Sequence, residues 1–343
     1  MARVLVTGGS GFIAAHVILA LLRAGHEVRA TLRDTRREAS ARAQLEVGGA
    51  PVEAPLSFHA ADLLEDAGWD AAMAGCDYAL HVASPVPGAA AAGDPAALIR
   101  VAREGTLRVL KAARAAGVRR VVVTSSFAAV GYGTPLRAAP YDERDWTEPD
   151  AVDVDAYTRS KTLAERAAWA FIAGEGAGME LATVNPVVVL GPALGPDMSA
   201  SLDLVRALLD GAVPALPRIY LGLVDVRDVA ALHLRAMTAP EAAGERFLAT
   251  SGEALSLGEI ARTLRQGLGP AARRVPRFEL PDIAVRLAAL VLPTARLAVP
   301  RLGIRRSATS AKARETLGWA PRPAEEAILA TAESLIRLGM VKG

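Results

Sequence analysis

The chain is 343 residues long, 52% hydrophobic and 22% charged, with a formal net charge of +2. That length exceeds one small core and suits a large domain joined to a smaller one. The scattered, nearly balanced charge argues against a nucleic-acid surface, and the single cysteine, Cys76, excludes an internal disulfide.

The N-terminus enters a strand pattern at once, Arg3-Val4-Leu5-Val6, without a charged leader and cleavage site. Cys76 reads as a small buried apolar residue, which fits a reducing compartment. A soluble, cytoplasmic protein is the expectation. Residues 12–24 have helical periodicity and stop at Gly25. Residues 26–31 and 57–60 read as the second and third strands. Residues 78–82 form a fourth, ending at Ala83-Ser84-Pro85. A long helix pattern over 95–116 closes at Gly117, a C-cap choice. Val121-Val122-Val123 is a β-branched run of the kind buried in a parallel sheet. A helix carrying Tyr157 runs to about 173, and a strand follows at 181–184. This alternation predicts an α/β fold with a doubly wound parallel sheet.

After Pro186, prolines and glycines become frequent and the segments shorten. The expected division is a dinucleotide-binding domain over 1–185 and a smaller, mostly helical substrate domain over 186–343. Stretches near 219–237 and 247–250 are expected to return to the first domain. The apolar stretch at 283–299 is interrupted by Arg286, Pro293 and Arg296, so it predicts a buried or pocket-covering helix rather than a membrane span.

Gly8, Gly11 and Ala14 follow the first strand and open the first helix. This is the G-x-x-G-x-x-[GA] variant of the dinucleotide fingerprint. Gly8 permits the tight turn, Gly11 lets backbone amides approach a pyrophosphate, and Ala14 is small enough for helix against sheet. The helix N-terminus favours the phosphates. An NAD site places a carboxylate at the end of the second strand, but here the strand ends at Arg33. A guanidinium suits a 2′-phosphate, with Arg36 or Arg37 as a second contact, so NADP(H) is the expected cofactor. Asp62 and Leu63 are placed to meet the adenine ring.

Tyr157 and Lys161 stand at i and i+4 and project from one helix face. A tyrosine with a pKa near ~10 exchanges its proton poorly at neutral pH. The neighbouring ammonium is expected to lower that value and to hold the nicotinamide ribose. Ser126, at the end of the Val121–Val123 strand, is placed to polarise a substrate oxygen. The set describes proton delivery to a carbonyl that receives a hydride.

With these pieces in view, the chain resembles the extended short-chain dehydrogenase/reductases, part of the NAD-dependent epimerase/dehydratase superfamily. Within them it resembles the aldehyde reductase and dihydroflavonol 4-reductase branch. The matching pieces are Thr7-Gly8-Gly9-Ser10-Gly11-Phe12-Ile13, residues 28–34, His81-Val82-Ala83-Ser84-Pro85 and Thr124-Ser125-Ser126. Residues 157–165, 185–192 and 224–230 continue the match. The resemblance implies a Rossmann-type fold and an NADPH-dependent aldehyde or ketone reductase with a Ser126, Tyr157 and Lys161 triad. Its expected cofactor contacts are Thr7, Gly8, Ser10, Gly11, Phe12, Ile13, Arg33, Arg37, Asp62, Leu63, Val82, Ala83, Ser84, Thr124, Tyr157, Lys161, Pro186, Val188 and Val189. Ser84, Pro85, Ser126, Phe127, Tyr157 and Met198 are expected to touch substrate. The segment Phe127-Ala128-Ala129-Val130-Gly131-Tyr132-Gly133 departs from plant members and points to microbial reductases.

His81 reads as a satisfied core histidine, and the remaining histidines show no metal spacing. Asp225, Arg227 and Asp228 read as a helix cap and a domain contact. Glu104, Glu143 and Glu165 read as solvated charges. The competing functions are a nucleotide-sugar epimerase or dehydratase, a hydroxysteroid dehydrogenase, and a non-catalytic dinucleotide-sensing regulator. A dehydratase usually has an acidic pair after the hydroxyl residue, and here Phe127 and Ala128 follow Ser126. The expected partner is a small-molecule carbonyl compound, with neither nucleic acid nor membrane, on a monomer or homodimer.

Overall fold

The apolar runs pair into one parallel sheet of seven strands. The computed structural model describes residues 1–85, 94–196 and 199–342, apart from the side chain of Thr294. The sheet strands are β1 (Arg3–Val6), β2 (Glu27–Leu32), β3 (Leu56–Ala60), β4 (Tyr78–His81), β5 (Arg120–Thr124), β6 (Glu180–Pro186) and β10 (Glu245–Ala249). Their order is β10-β6-β5-β4-β1-β2-β3, and every pair is parallel. Strand order reverses between β1 and β4, which opens a crevice at the C-terminal ends of these strands.

Alternate residues of each strand feed opposite cores, as the pleat requires. Val4, Val6 and Val122 pack with α1 (Phe12–Arg23) and α7 (Val226–Thr238) on one face. Leu5, Val121 and Val123 pack on the other with α3 (Trp69–Met73), α4 (Pro95–Ala115) and α5 (Ala156–Ala173). A sheet buried on both faces explains the continuous apolar strands. Helix α2 (Glu38–Val47) sits between β2 and β3 in the chain.

Much of the rest of the chain packs against α7 and β10. Strand β7 (Val188–Leu190) pairs with β9 (Leu223–Asp225), and β8 (Tyr220–Leu221) pairs with β11 (Leu255–Ser256). Helices α6 (Ala200–Leu209), α8 (Leu257–Leu268), α9 (Asp282–Ala288), α10 (Pro293–Ala298), α11 (Ala311–Leu317) and α12 (Ala324–Arg337) complete it. Arg120 is fully buried at the start of β5. Its guanidinium donates to the carbonyls of Ala236 at 2.8 Å and Ala239 at 2.6 Å, capping α7. Asp225 caps the other end of α7 by accepting from Arg227 N at 2.8 Å. Asp228 accepts from Arg322 N at 2.7 Å and joins α7 to the approach to α12.

The 283–299 stretch departs from expectation. It forms two short helices whose apolar side chains stay exposed, among them Ile283, Leu287, Leu290, Val291 and Leu297, while Val285 is buried. Pro293, Arg286 and Arg296 break the stretch before it can present one continuous apolar face.

Candidate active site

The glycine loop fits a dinucleotide. Gly8 has φ +73°, and a Cβ there would lie 3.1 Å from Cα and Cβ of Ala83. A Cβ on Gly9 would meet the Ala30 methyl at 2.8 Å. Thr31 holds the turn, its hydroxyl accepting from Gly8 N at 3.1 Å and its carbonyl from Gly9 N at 2.8 Å. Gly11 is the N-cap of α1, and no side chain caps the helix. The first-turn amides are left for an anion, which is what a pyrophosphate needs.

The loop is locked from below by a hydrogen-bond chain. Thr7 Oγ1 accepts from Val82 N at 3.0 Å and Ala83 N at 2.9 Å. With both lone pairs used, its one proton goes to His81 Nδ1 at 2.9 Å. His81 therefore carries its proton on Nε2, which faces Thr106 Oγ1 at 3.3 Å. Thr106 in turn donates to the Ala102 carbonyl at 2.8 Å. Burial pushes His81 down to about 3, so the ring is neutral. The core reading of His81 holds, and Thr7 acts through its neighbours with a fully buried side chain.

Ser126 and Tyr157 meet across the ends of β5 and α5. Asp155 caps α5 by accepting from Thr158 N at 2.8 Å, which places Tyr157 in the first turn. Ser126 begins a short 3-10 turn and accepts from Ala128 N at 3.1 Å. A hydrogen bond from Ser126 favours the Tyr157 phenolate, but burial outweighs it and holds the phenol above its ordinary value. Asp155 and Tyr132 push in the same direction as burial. Lys161 lies deeper, its Nζ 3.5 Å from the Thr124 carbonyl, and the group pulling the phenol down is Ser126. Burial pushes Lys161 itself down to about 8, with Glu165 pulling the other way.

Behind this set lies a buried polar hub that the sequence reading missed. Glu165, read as a solvated charge, has a fully buried side chain. Ser125 Oγ donates to its Oε2, and Asn185 Nδ2 does so at 2.6 Å. Arg246 Nε donates to Oε1 at 2.6 Å. Thr183 Oγ1 and Trp169 Nε1 reach the same oxygen at 3.3 Å. Glu143 is also half-buried, and its Oε1 accepts from Leu248 N at 2.9 Å. Glu104 is exposed as expected.

A small cavity of about 10 Å³ adjoins Lys161, Glu165, Ser125, His81 and Thr106. A larger one of about 630 Å³ opens beyond Arg246, lined by Trp146, Trp169 and Lys312; it contains none of Ser126, Tyr157 and Lys161.

The other expected residues fall as follows. Arg33 is exposed at the end of β2 and makes no ion pair among the described residues. Arg36 is bound to Asp34 at 2.8 Å. Arg37 is half-buried next to it. Asp62 Oδ1 accepts from Leu64 N at 3.0 Å, and Leu63 packs under Gly105. Val82, Ala83, Ser84 and Pro85 are half-buried at the β4 end. Thr124 Oγ1 meets His233 Nε2 at 2.7 Å. Ser10, Ile13 and Val188 are half-buried, and Phe12, Pro186 and Val189 are buried. Phe127 packs into a cluster with Val130, Tyr141 and Leu248, in edge contact with Tyr132 and Tyr141. Met198 lies outside the described residues. Among the described residues no His, Cys, Asp or Glu cluster could hold a metal, and no helix is long and apolar enough to cross a membrane.

The family profile described as "NAD dependent epimerase/dehydratase family" matches residues 4–249. The chain belongs to this family. It is 39% identical to a cinnamoyl-CoA reductase 1 of Oryza sativa subsp. japonica over 267 residues, covering 77% of this chain and 75% of that protein. A tetraketide alpha-pyrone reductase 2 of Arabidopsis thaliana is 35% identical over 256 residues, covering 73% of this chain and 78% of that one. Plant reductases thus stand among its relatives, despite the divergent segment at 127–133. Among solved structures, Gre2 from Candida albicans in complex with NADPH superposes with a TM-score of 0.79 at 25% identity, covering 98% of this chain and 99% of that one.

Proposed function

We propose that the protein is an NADPH-dependent reductase that converts an aldehyde or ketone to an alcohol. The observation that carries this reading is the juxtaposition of the Ser126 hydroxyl and the Tyr157 phenol beside Lys161, at the crevice edge next to an uncapped glycine-loop helix. The reductases among its relatives and the NADPH complex among its structural neighbours support it.

Gly8, Gly11 and the first turn of α1 would hold the pyrophosphate, and Arg33 the 2′-phosphate. The bound nicotinamide supplies the hydride. Ser126 hydrogen-bonds the substrate oxygen as negative charge develops on it. Tyr157 delivers the proton to that oxygen. A phenol held above its ordinary value stays protonated at neutral pH, which suits donation in the reducing direction. Lys161 holds the ribose hydroxyls from the base of the crevice, beside the Thr124 carbonyl.

The test is NADPH oxidation against aldehydes, diketones, keto esters and aryl ketones, with NADH in parallel and Tyr157→Phe as control. Turnover that needs Tyr157 and prefers NADPH supports the reading. A folded protein inert to every carbonyl, or one indifferent to Tyr157→Phe, would overturn it.

A further inference from the structure

Glu165 takes no part in the hydride or proton steps, yet five groups from four elements converge on its buried carboxylate. Ser125 reaches it from the end of β5, Asn185 and Thr183 from β6, Arg246 from β10, and Trp169 from its own helix. Ser125 directly precedes Ser126, and Asn185 Nδ2 also reaches the Ser126 carbonyl at 3.3 Å. Lys161 stands one helical turn before Glu165 on the same face. The carboxylate therefore joins the strand end that presents the catalytic serine to the helix that presents the tyrosine and lysine.

We propose that Glu165 is a positioning residue of the reaction: it clamps the Ser125–Ser126 turn against the face of α5 that carries Tyr157 and Lys161. This rests on the reading of Ser126, Tyr157 and Lys161 given above. The groups facing Lys161 are Tyr157 on its own helix, the Thr124 carbonyl of β5 and neutral His81 of β4, and Glu165 is the charge that acts on it. Arg246 of β10 stands behind the carboxylate, and its guanidinium stacks 3.8 Å from the Trp146 ring centroid. Burial favours loss of the lysine proton and Glu165 opposes that loss. Removing the negative charge must therefore move the lysine titration downward.

The chain has four lysines, Lys111, Lys161, Lys312 and Lys342, and Lys161 is the buried one. Isotope-labelled lysine NMR on the cofactor-free protein resolves them, with Lys161→Met giving the assignment and the other three serving as internal references. Burial is expected to bring the wild-type Lys161 midpoint down to about 8. In Glu165→Gln the midpoint falls by roughly one unit. The alkaline limb of kcat for carbonyl reduction falls with it, and Glu165→Asp restores part of both. Should Glu165→Gln fail to fold, the double variant Glu165→Gln/Arg246→Met removes both buried charges and should show a smaller shift in the same direction, because loss of the more distant guanidinium works the other way. An unmoved Lys161 titration in either folded variant overturns the proposal. If Tyr157→Phe is inactive while that titration stays put, only the role of Glu165 falls; if Tyr157→Phe keeps full activity, the catalytic reading falls with it.

Discussion

Replacing Arg246 by methionine leaves the Glu165 carboxylate buried without its guanidinium partner, and the cost can be worked from the structure. The two side chains are 9% and 0% exposed, so solvent screens the pair little. Removing one partner of a buried pair costs about 3–5 kcal/mol. Three other donors remain on Glu165, from Ser125, Asn185 and Trp169, which places this loss near the lower end, about 3 kcal/mol. The carbonyls of Glu143 and Asp145 also lose their Arg246 donor, at about 1 kcal/mol or less each. The total is about 4 kcal/mol, since methionine keeps some packing against Trp146. An unfolding entropy of about 2.1 cal/mol/K per residue gives roughly 0.7 kcal/mol/K for this chain, so Tm should fall by about 6 °C. Differential scanning calorimetry at pH 7 measures this directly. Glu165→Gln/Arg246→Met should recover part of the loss, because no unpaired charge remains. A single variant within about 1 °C of wild type, or a double variant less stable than the single, would mean that the buried pair does not stabilise the fold in this way.

Three further outcomes follow. Arg33→Ala should raise the KM for NADPH by about 10–100-fold and leave that for NADH nearly unchanged; equal effects on both would remove the 2′-phosphate assignment. Gly8→Ala forces a side chain into φ +73° against Ala83, at about 1–2 kcal/mol, and fluorescence titration should show weaker NADPH binding while α1 stays folded. The third concerns acid. Burial pushes His16 and His233 down to about 4 and His81 to about 3. All lie below the unfolded value near ~6.5, so the unfolded chain binds protons first as pH falls. Their contribution is complete above that value and lost as pH drops toward the folded values, at about 2 kcal/mol per histidine by pH 5. Urea unfolding at pH 7 and pH 5 measures it; equal stability at the two would mean that these rings are not held neutral.

Much of the architecture is legible because it is local. The alternation of Val4, Leu5 and Val6 between two cores, the glycines after β1 and the Tyr157–Lys161 spacing each need only a few neighbouring residues. The hub behind the site is not local. Thr158, Lys161, Thr162 and Glu165 repeat at helical spacing and resemble a solvated stripe, yet all four are buried. What decides their burial is the set of partners brought by β5, β6 and β10. Asn185 lies in a motif quoted for the resemblance, and its position after an apolar strand is the one signal that could have marked it. The depth of Lys161 below the crevice is likewise a tertiary property.

Glu165 and Arg246 lie 81 positions apart. At about 5–20 residues per second, a ribosome makes the carboxylate roughly 4–16 s before the guanidinium that pairs with it. During that interval β10 does not exist, and β6 is an open edge with unpaired backbone groups. The β10 edge of the sheet therefore closes late in synthesis. A nascent chain halted before residue 245 offers its neighbours an adhesive strand and an unmatched charge, not a working half of the enzyme.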